Sequence, residues 1–137
     1  MPMSVGFVRG GPLILLRVEG AAVLAGATLI YAHLGQSWWL FALLFLVPDI
    51  SMVSYLLNAR IGAACYNAVH TVTAPRLLAG IGAGSGSLPA LSVAAIWLAH
   101  IGLDRMLGYG LKYATSFTDT HLGVLGRRGV RPEGLTT

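Results

Sequence analysis

The chain has 137 residues, of which 55% are hydrophobic and only 10% charged. A soluble domain carries roughly 25% charged residues, and one this short leaves about a third of its unfolded surface in water. So few charges could not cover that surface, and the apolar residues come in runs of about twenty, the length that crosses a bilayer. An ordinary soluble enzyme, a disordered tail and a disulfide scaffold are therefore excluded, and the length allows one domain.

The formal net charge of +4 does not read as a nucleic-acid footprint, because the basic residues sit at span ends and in the tail rather than on one face. Nucleic acid is not an expected partner; the lipid bilayer is. The single Cys65 lies in an apolar run and reads as inert packing.

Taken in chain order, residues 1–12 form an N-terminal segment, followed by apolar spans at about 13–34, 38–57, 61–82 and 88–107 and by a tail over 108–137. Each span is long enough to cross about 30 Å of hydrocarbon at 1.5 Å per residue. The connections Gly35-Gln36-Ser37, Asn58-Ala59-Arg60 and Gly84-Ser85-Gly86-Ser87 are short and force antiparallel neighbours. The expected fold is all-α, an integral-membrane up-down four-helix bundle. Arg9 and Arg17 precede an apolar stretch as in a signal peptide. Glu19 at the start of that stretch, with no small-x-small site before a soluble domain, makes it a retained span.

Orientation follows from the positive-inside tendency. Arg9, Arg17, Arg60, Arg105, Lys112, Arg127, Arg128 and Arg131 fall on one side, whereas the first and third loops carry no Lys or Arg. The exception is Arg76, beside Pro75 in the outer part of span three, which should snorkel toward the outer headgroups. Both termini are expected in the cytoplasm and the protein in the inner (plasma) membrane, with Trp38 and Trp39 at the outer interface. The Gly80–Gly86 stretch reads as a flexible loop at the outer end of span three.

Three of the five acidic residues, Glu19, Asp49 and Asp104, lie inside the spans, together with Asn67, His70 and His100. A charge at the centre of a span costs on the order of 2.5–3.5 kcal/mol on insertion scales, so these side chains should face inward. At 1.5 Å per residue from the cytoplasmic end, Glu19 and Asn67 lie at ~9 Å, Asp49 and His70 at ~13 Å, His100 at ~10 Å and Asp104 at ~5 Å. Four antiparallel helices thus bring polar groups to one level. His100 and Asp104 are i,i+4 and Asn67 and His70 are i,i+3, so each pair shares a helix face. Pro48 should loosen the backbone bonding of span two beside Asp49.

Imidazole and carboxylate together form a common ligand set for zinc, manganese or iron. Glu19, Asp49, His70, His100 and Asp104 are the expected ligands, with Asn67, Asp119 and His121 as a second tier. The reading is a metal-dependent, hydrolase-like enzyme acting on a lipid-like or membrane-proximal substrate. Its alternatives are a structural or interaction protein with polar interhelical contacts, or a proton- or cation-binding transport element, which with four spans would need a homo-oligomer. Haem between His70 and His100 ranks last, because three nearby acids make the site anionic.

Leu16-Arg17-Val18-Glu19-Gly20, Ser37-Trp38-Trp39, Pro48-Asp49, Tyr66-Asn67-Ala68-Val69-His70, Trp97 through Arg105, Gly108 through Tyr113 and Asp119-Thr120-His121-Leu122-Gly123 carry a likeness. Over roughly 15–127 the chain resembles the bacterial membrane family known as domain of unknown function 4260. The resemblance implies a small integral membrane protein and supplies no activity; it strengthens Asp119 and His121 as candidates. The chain is also similar in style to membrane-bound metal-dependent hydrolases, but not residue by residue, and no site follows from that.

Overall fold

A computed structural model describes residues 10–109, 119–120 and 123–124. The order is α1 (Gly10–Leu34), α2 (Trp38–Phe45), a 3-10 helix (Val47–Leu56), α3 (Ala59–His70), α4 (Thr73–Ser85) and α5 (Leu88–Leu107). Asp119–Thr120 (β1) and Gly123–Val124 (β2) pair antiparallel. The architecture is an all-α membrane bundle, as expected. Gly10–Leu34, Trp38–Leu56 and Leu88–Leu107 are each long and apolar enough to cross a membrane.

The helix α5 is the hub, packing against α1, α4 and α2. Its buried face is mostly small, with Ser92, Ala94, Ala95, Ala99 and Gly102 interrupted by Ile96, His100 and Ile101. Small residues let helix backbones approach closely in lipid, where apolar burial alone gives no preference for protein over solvent. The approach to α1 is the tightest. A Cβ on Gly20 would lie 2.5 Å from the Arg105 Cβ, and one on Gly102 would lie 2.5 Å from the Leu24 backbone nitrogen. The outward faces keep Ile14, Leu15, Leu29, Ile30 and Ile81 exposed, as lipid-facing surface requires.

The turn between α1 and α2 is fixed by aromatic packing. Buried Tyr31 donates its hydroxyl to the Ser37 carbonyl and meets Trp38 and Phe41 edge-on at 5.2 and 5.1 Å. Ser37 caps α2 by accepting from the Trp39 N–H.

Two of the expected spans are not uniform α-helices. In the second, Pro48 has no N–H to give, and the chain tightens there into i→i−3 bonding. The Asp49 N–H donates to the Leu46 carbonyl at 3.1 Å, and the Ser51 and Ser54 hydroxyls donate to the Pro48 and Ser51 carbonyls. In the third, the expected continuous span 61–82 is two helices. The α3 helix stops at His70, Thr71 is extended (φ −83°, ψ 145°) and α4 starts at Thr73. The cause is Pro75: in an unbroken helix its ring would clash with the Thr71 carbonyl and leave that carbonyl without a donor.

The expected glycine loop is also different. Gly80, Gly82 and Gly84 lie within α4, and Gly82 faces α5, where a Cβ would come within 3.0 Å of the Leu91 nitrogen. Only Gly86, with φ +67°, takes the left-handed conformation that ends the helix. Close helix contact and a short cap set this segment, not loop flexibility.

Candidate metal centre

Each break in a helix delivers one polar side chain. Asp49 follows Pro48 at the start of the 3-10 helix, and His70 is the last residue of α3. The unbroken α5 supplies His100 and Asp104 one turn apart. These four residues converge, each offering a ligand atom, with all four atoms within 4.8 Å of one another.

The distances are even. His70 Nε2 lies 3.5 Å from Asp49 Oδ1 and 3.5 Å from Asp104 Oδ2. His100 Nε2 lies 3.3 Å from Asp49 Oδ1 and 3.2 Å from Asp104 Oδ2, and the two Nε2 atoms are 3.3 Å apart. A tetrahedral ion bound at 2.0–2.1 Å separates its ligand atoms by about 3.3–3.4 Å. Five of the six edges of this tetrahedron therefore already have the length an ion would impose.

Proton bookkeeping at His70 points the same way. Its Nδ1 lies 2.9 Å from the Tyr66 carbonyl, which can only accept, so Nδ1 carries the proton and donates. In the neutral ring Nε2 is then a bare lone pair aimed at two carboxylate oxygens. Such a convergence calls for a cation or a proton at its centre, and a neutral His100 can bring one proton there on its own Nε2, 3.2 Å from Asp104 Oδ2. Tyr66 stacks on the His70 ring at 3.7 Å with planes 9° apart, so the ring is held from its face as well as from Nδ1. His100 lacks the equivalent bond: its buried Nδ1 has no hydrogen-bond partner among the described residues. Its ring is placed by α5 and by the edge contact with Phe45 at 5.2 Å.

Among the described residues neither carboxylate is neutralised by a fixed cation: no Lys or Arg forms an ion pair with Asp49 or Asp104. Arg105, adjacent to Asp104, turns away and donates to the His70 and Tyr109 carbonyls at 3.0 and 3.1 Å. Arg17 donates to the Met106 carbonyl at 2.8 Å. With neutral imidazoles the centre carries two negative charges, which suits a divalent ion. His70 and His100 are 0% and 3% exposed at the side chain, against 14% for Asp104 and 40% for Asp49, so the centre opens on the Asp49 side.

The break after His70 would leave the last carbonyls of α3 without intrahelical partners. The α5 helix satisfies two of them with side chains. Trp97 Nε1 donates to the Val69 carbonyl at 2.6 Å and Arg105 to that of His70. These two donors flank His100 and Asp104 in sequence, so one helix supplies two of the cluster residues and secures the helix end that presents a third. Sequence reasoning missed Trp97, Arg105 and the stacked Tyr66. The signal was Pro75, placed so as to end a helix after His70 and create carbonyls in need of donors.

Of the expected ligands, the structure brings together Asp49, His70, His100 and Asp104 and leaves Glu19 out. Glu19 is exposed on α1, because its neighbour Gly20 is the residue turned onto α5. Asn67, one turn before His70, is partly buried and outside the group of four. Asp119 pairs through its backbone with Val124; its side chain, and the whole of His121, lie outside the described residues.

Fold and site together define a helical membrane-spanning protein with a cluster of two buried histidines and two partly exposed aspartates. A family model described as Domain of unknown function (DUF4260) matches residues 13–125, and the chain belongs to that family. No curated protein and no solved structure matches it.

Proposed function

We propose that the protein is a membrane metalloprotein in which Asp49, His70, His100 and Asp104 bind one divalent transition metal. The observation that carries the reading is the set of five ligand-atom separations between 3.2 and 3.5 Å. Zinc suits that spacing best; manganese and iron suit the ligand types. The same 3.3 Å between the Nε2 atoms leaves no room for a porphyrin plane between the histidines.

The metal would supply Lewis acidity and a more acidic bound water, the basis of hydrolytic chemistry. The chain's own residues shape that chemistry. His70, fixed through Nδ1 and its stack on Tyr66, and His100, fixed by packing, form the rigid side. Asp49, the most exposed of the four and carried on a 3-10 segment, is the ligand able to give way to a substrate or to take its proton. The function read from this is a metal-dependent hydrolase working at the membrane. The protein sits in the inner membrane with both termini cytoplasmic, a reading supported by Arg17 and Arg105 meeting at the C-terminal end of α5, where Arg17 donates to the Met106 carbonyl.

Elemental analysis of the purified protein after loading with zinc, manganese or iron tests the reading. About one metal per chain is expected, falling below roughly a tenth in a His70→Gln, His100→Gln double variant. Wild-type protein holding less than about a tenth of an equivalent of every metal would overturn it. The cluster would then be a proton-holding or purely structural network.

A further inference from the structure

A cavity of about 510 Å³ is lined by sequence neighbours of the cluster residues. Pro48 and Ile50, which line it, flank Asp49; Val69 immediately precedes His70; Val93, Ile96 and Trp97 come from α5. Ile96, His100 and Asp104 follow one another at four-residue steps, so cavity and cluster share one face of α5. The Ser51 hydroxyl on its wall is already bonded to the Pro48 carbonyl, and the rest of the lining is apolar or aromatic.

We propose that this groove is the acyl-chain site of a membrane-lipid substrate whose polar head meets the Asp49–His70–His100–Asp104 cluster. Depth argues for that occupant. Measured from Leu107 at 1.5 Å per residue, Asp104 and His100 lie ~5 and ~10 Å along α5, whereas Ile96 and Val93 lie ~17 and ~21 Å along. The polar cluster is therefore near one face of the bilayer and the groove runs on toward its middle. A lipid has the same order of head and chain. Val93 and Ile50 are 38% and 64% exposed, so the groove is open to the surrounding hydrocarbon, where acyl chains are the solvent. Water would find no polar partners there, and the volume falls within the roughly 300–1,000 Å³ of ligand pockets. Asp49, the exposed member of the cluster, is carried between Pro48 and Ile50, two residues of the groove wall.

The head-group half of the proposal rests on the metal reading above; the chain half does not, and the experiment separates them. The full-length protein is placed in nanodiscs of phosphatidylethanolamine and phosphatidylglycerol doped with a phosphatidylcholine carrying a diazirine in one acyl chain. After illumination, labelled residues are mapped by mass spectrometry and metal content is measured on the same samples. Labelling of Ile50, Val69 and Val93 is expected to exceed that of Leu29 and Ile81, exposed elsewhere on the bundle, by about tenfold. Val93→Trp and, independently, Ile50→Trp fill the groove from its exposed rim. Either should cut labelling of Val69 by about fivefold or more, with metal content unchanged. Even labelling of groove and outer faces, or groove labelling that ignores both Trp variants, overturns the proposal. Groove labelling in metal-free protein supports the chain site and tells against the metal reading alone.

Discussion

His70 and His100, 30 residues apart in sequence, face each other through their Nε2 atoms at 3.3 Å while His70 gives its only neutral-state proton to the Tyr66 carbonyl. Two imidazoles in that arrangement, each also within 3.5 Å of both carboxylates, are organised around a point between them.

Removing any one of the four ligands should break the metal site. His100→Gln or Asp104→Asn keeps the approximate size but takes away a donor, and affinity measured by competition with a chromophoric chelator should fall about 100-fold or more. If the residues only join helices, the same variants would lower thermal stability by about 0.6 kcal/mol per lost contact and leave metal content where it was.

Arg105 acts through His70. Its guanidinium donates to the carbonyl at the end of α3, and Arg105→Met should leave that carbonyl unpaired at a cost of about 1.5–3 kcal/mol. Metal affinity should drop about tenfold, although Arg105 touches no ligand atom. Trp97→Phe removes the companion bond to Val69 and should cost about 1 kcal/mol. Thermal melts in detergent alongside the chelator titration read both effects; unchanged melting and affinity in Arg105→Met would contradict the role.

The α1–α5 crossing predicts intolerance at its glycines. Gly102→Val would place a side chain within 2.5 Å of the Leu24 backbone, where no flexible group can move aside. Destabilisation of about 3 kcal/mol or more is expected, read as a lower melting temperature. Gly26→Val, at a position where a Cβ meets nothing within 4 Å, is the matched control and should melt like the wild type.

Glu19 separates the observed cluster from the wider one its depth suggested. Glu19→Gln should leave metal stoichiometry unchanged and shift stability by no more than about 0.5 kcal/mol. Loss of metal in that variant would put α1 back into the ligand set.

That Asp49, His70, His100 and Asp104 converge was legible because depth along a helix can be counted from the sequence, and because charged groups in hydrocarbon must find partners. Glu19 was not, because depth says nothing about rotation. Gly20 next to it decides which face of α1 meets α5, and that choice rests on how closely Arg105 and Met106 approach. The effect of Pro48 was readable from its missing N–H. That of Pro75 was equally present in the sequence, but its consequence, a helix end at His70 with donors arriving from Trp97 and Arg105, depends on contacts between residues 28 and 35 positions apart. The lipid groove is of the same kind: its walls come from three separate segments that only packing brings together.

One ion among four named atoms would be seen outright by anomalous X-ray scattering from crystals grown with zinc. A single anomalous peak about 2.0–2.2 Å from His70 Nε2, His100 Nε2, Asp49 Oδ1 and Asp104 Oδ2 is the predicted result. A zinc-loaded crystal with no peak among those atoms, their side chains keeping the same close approach, would contradict it.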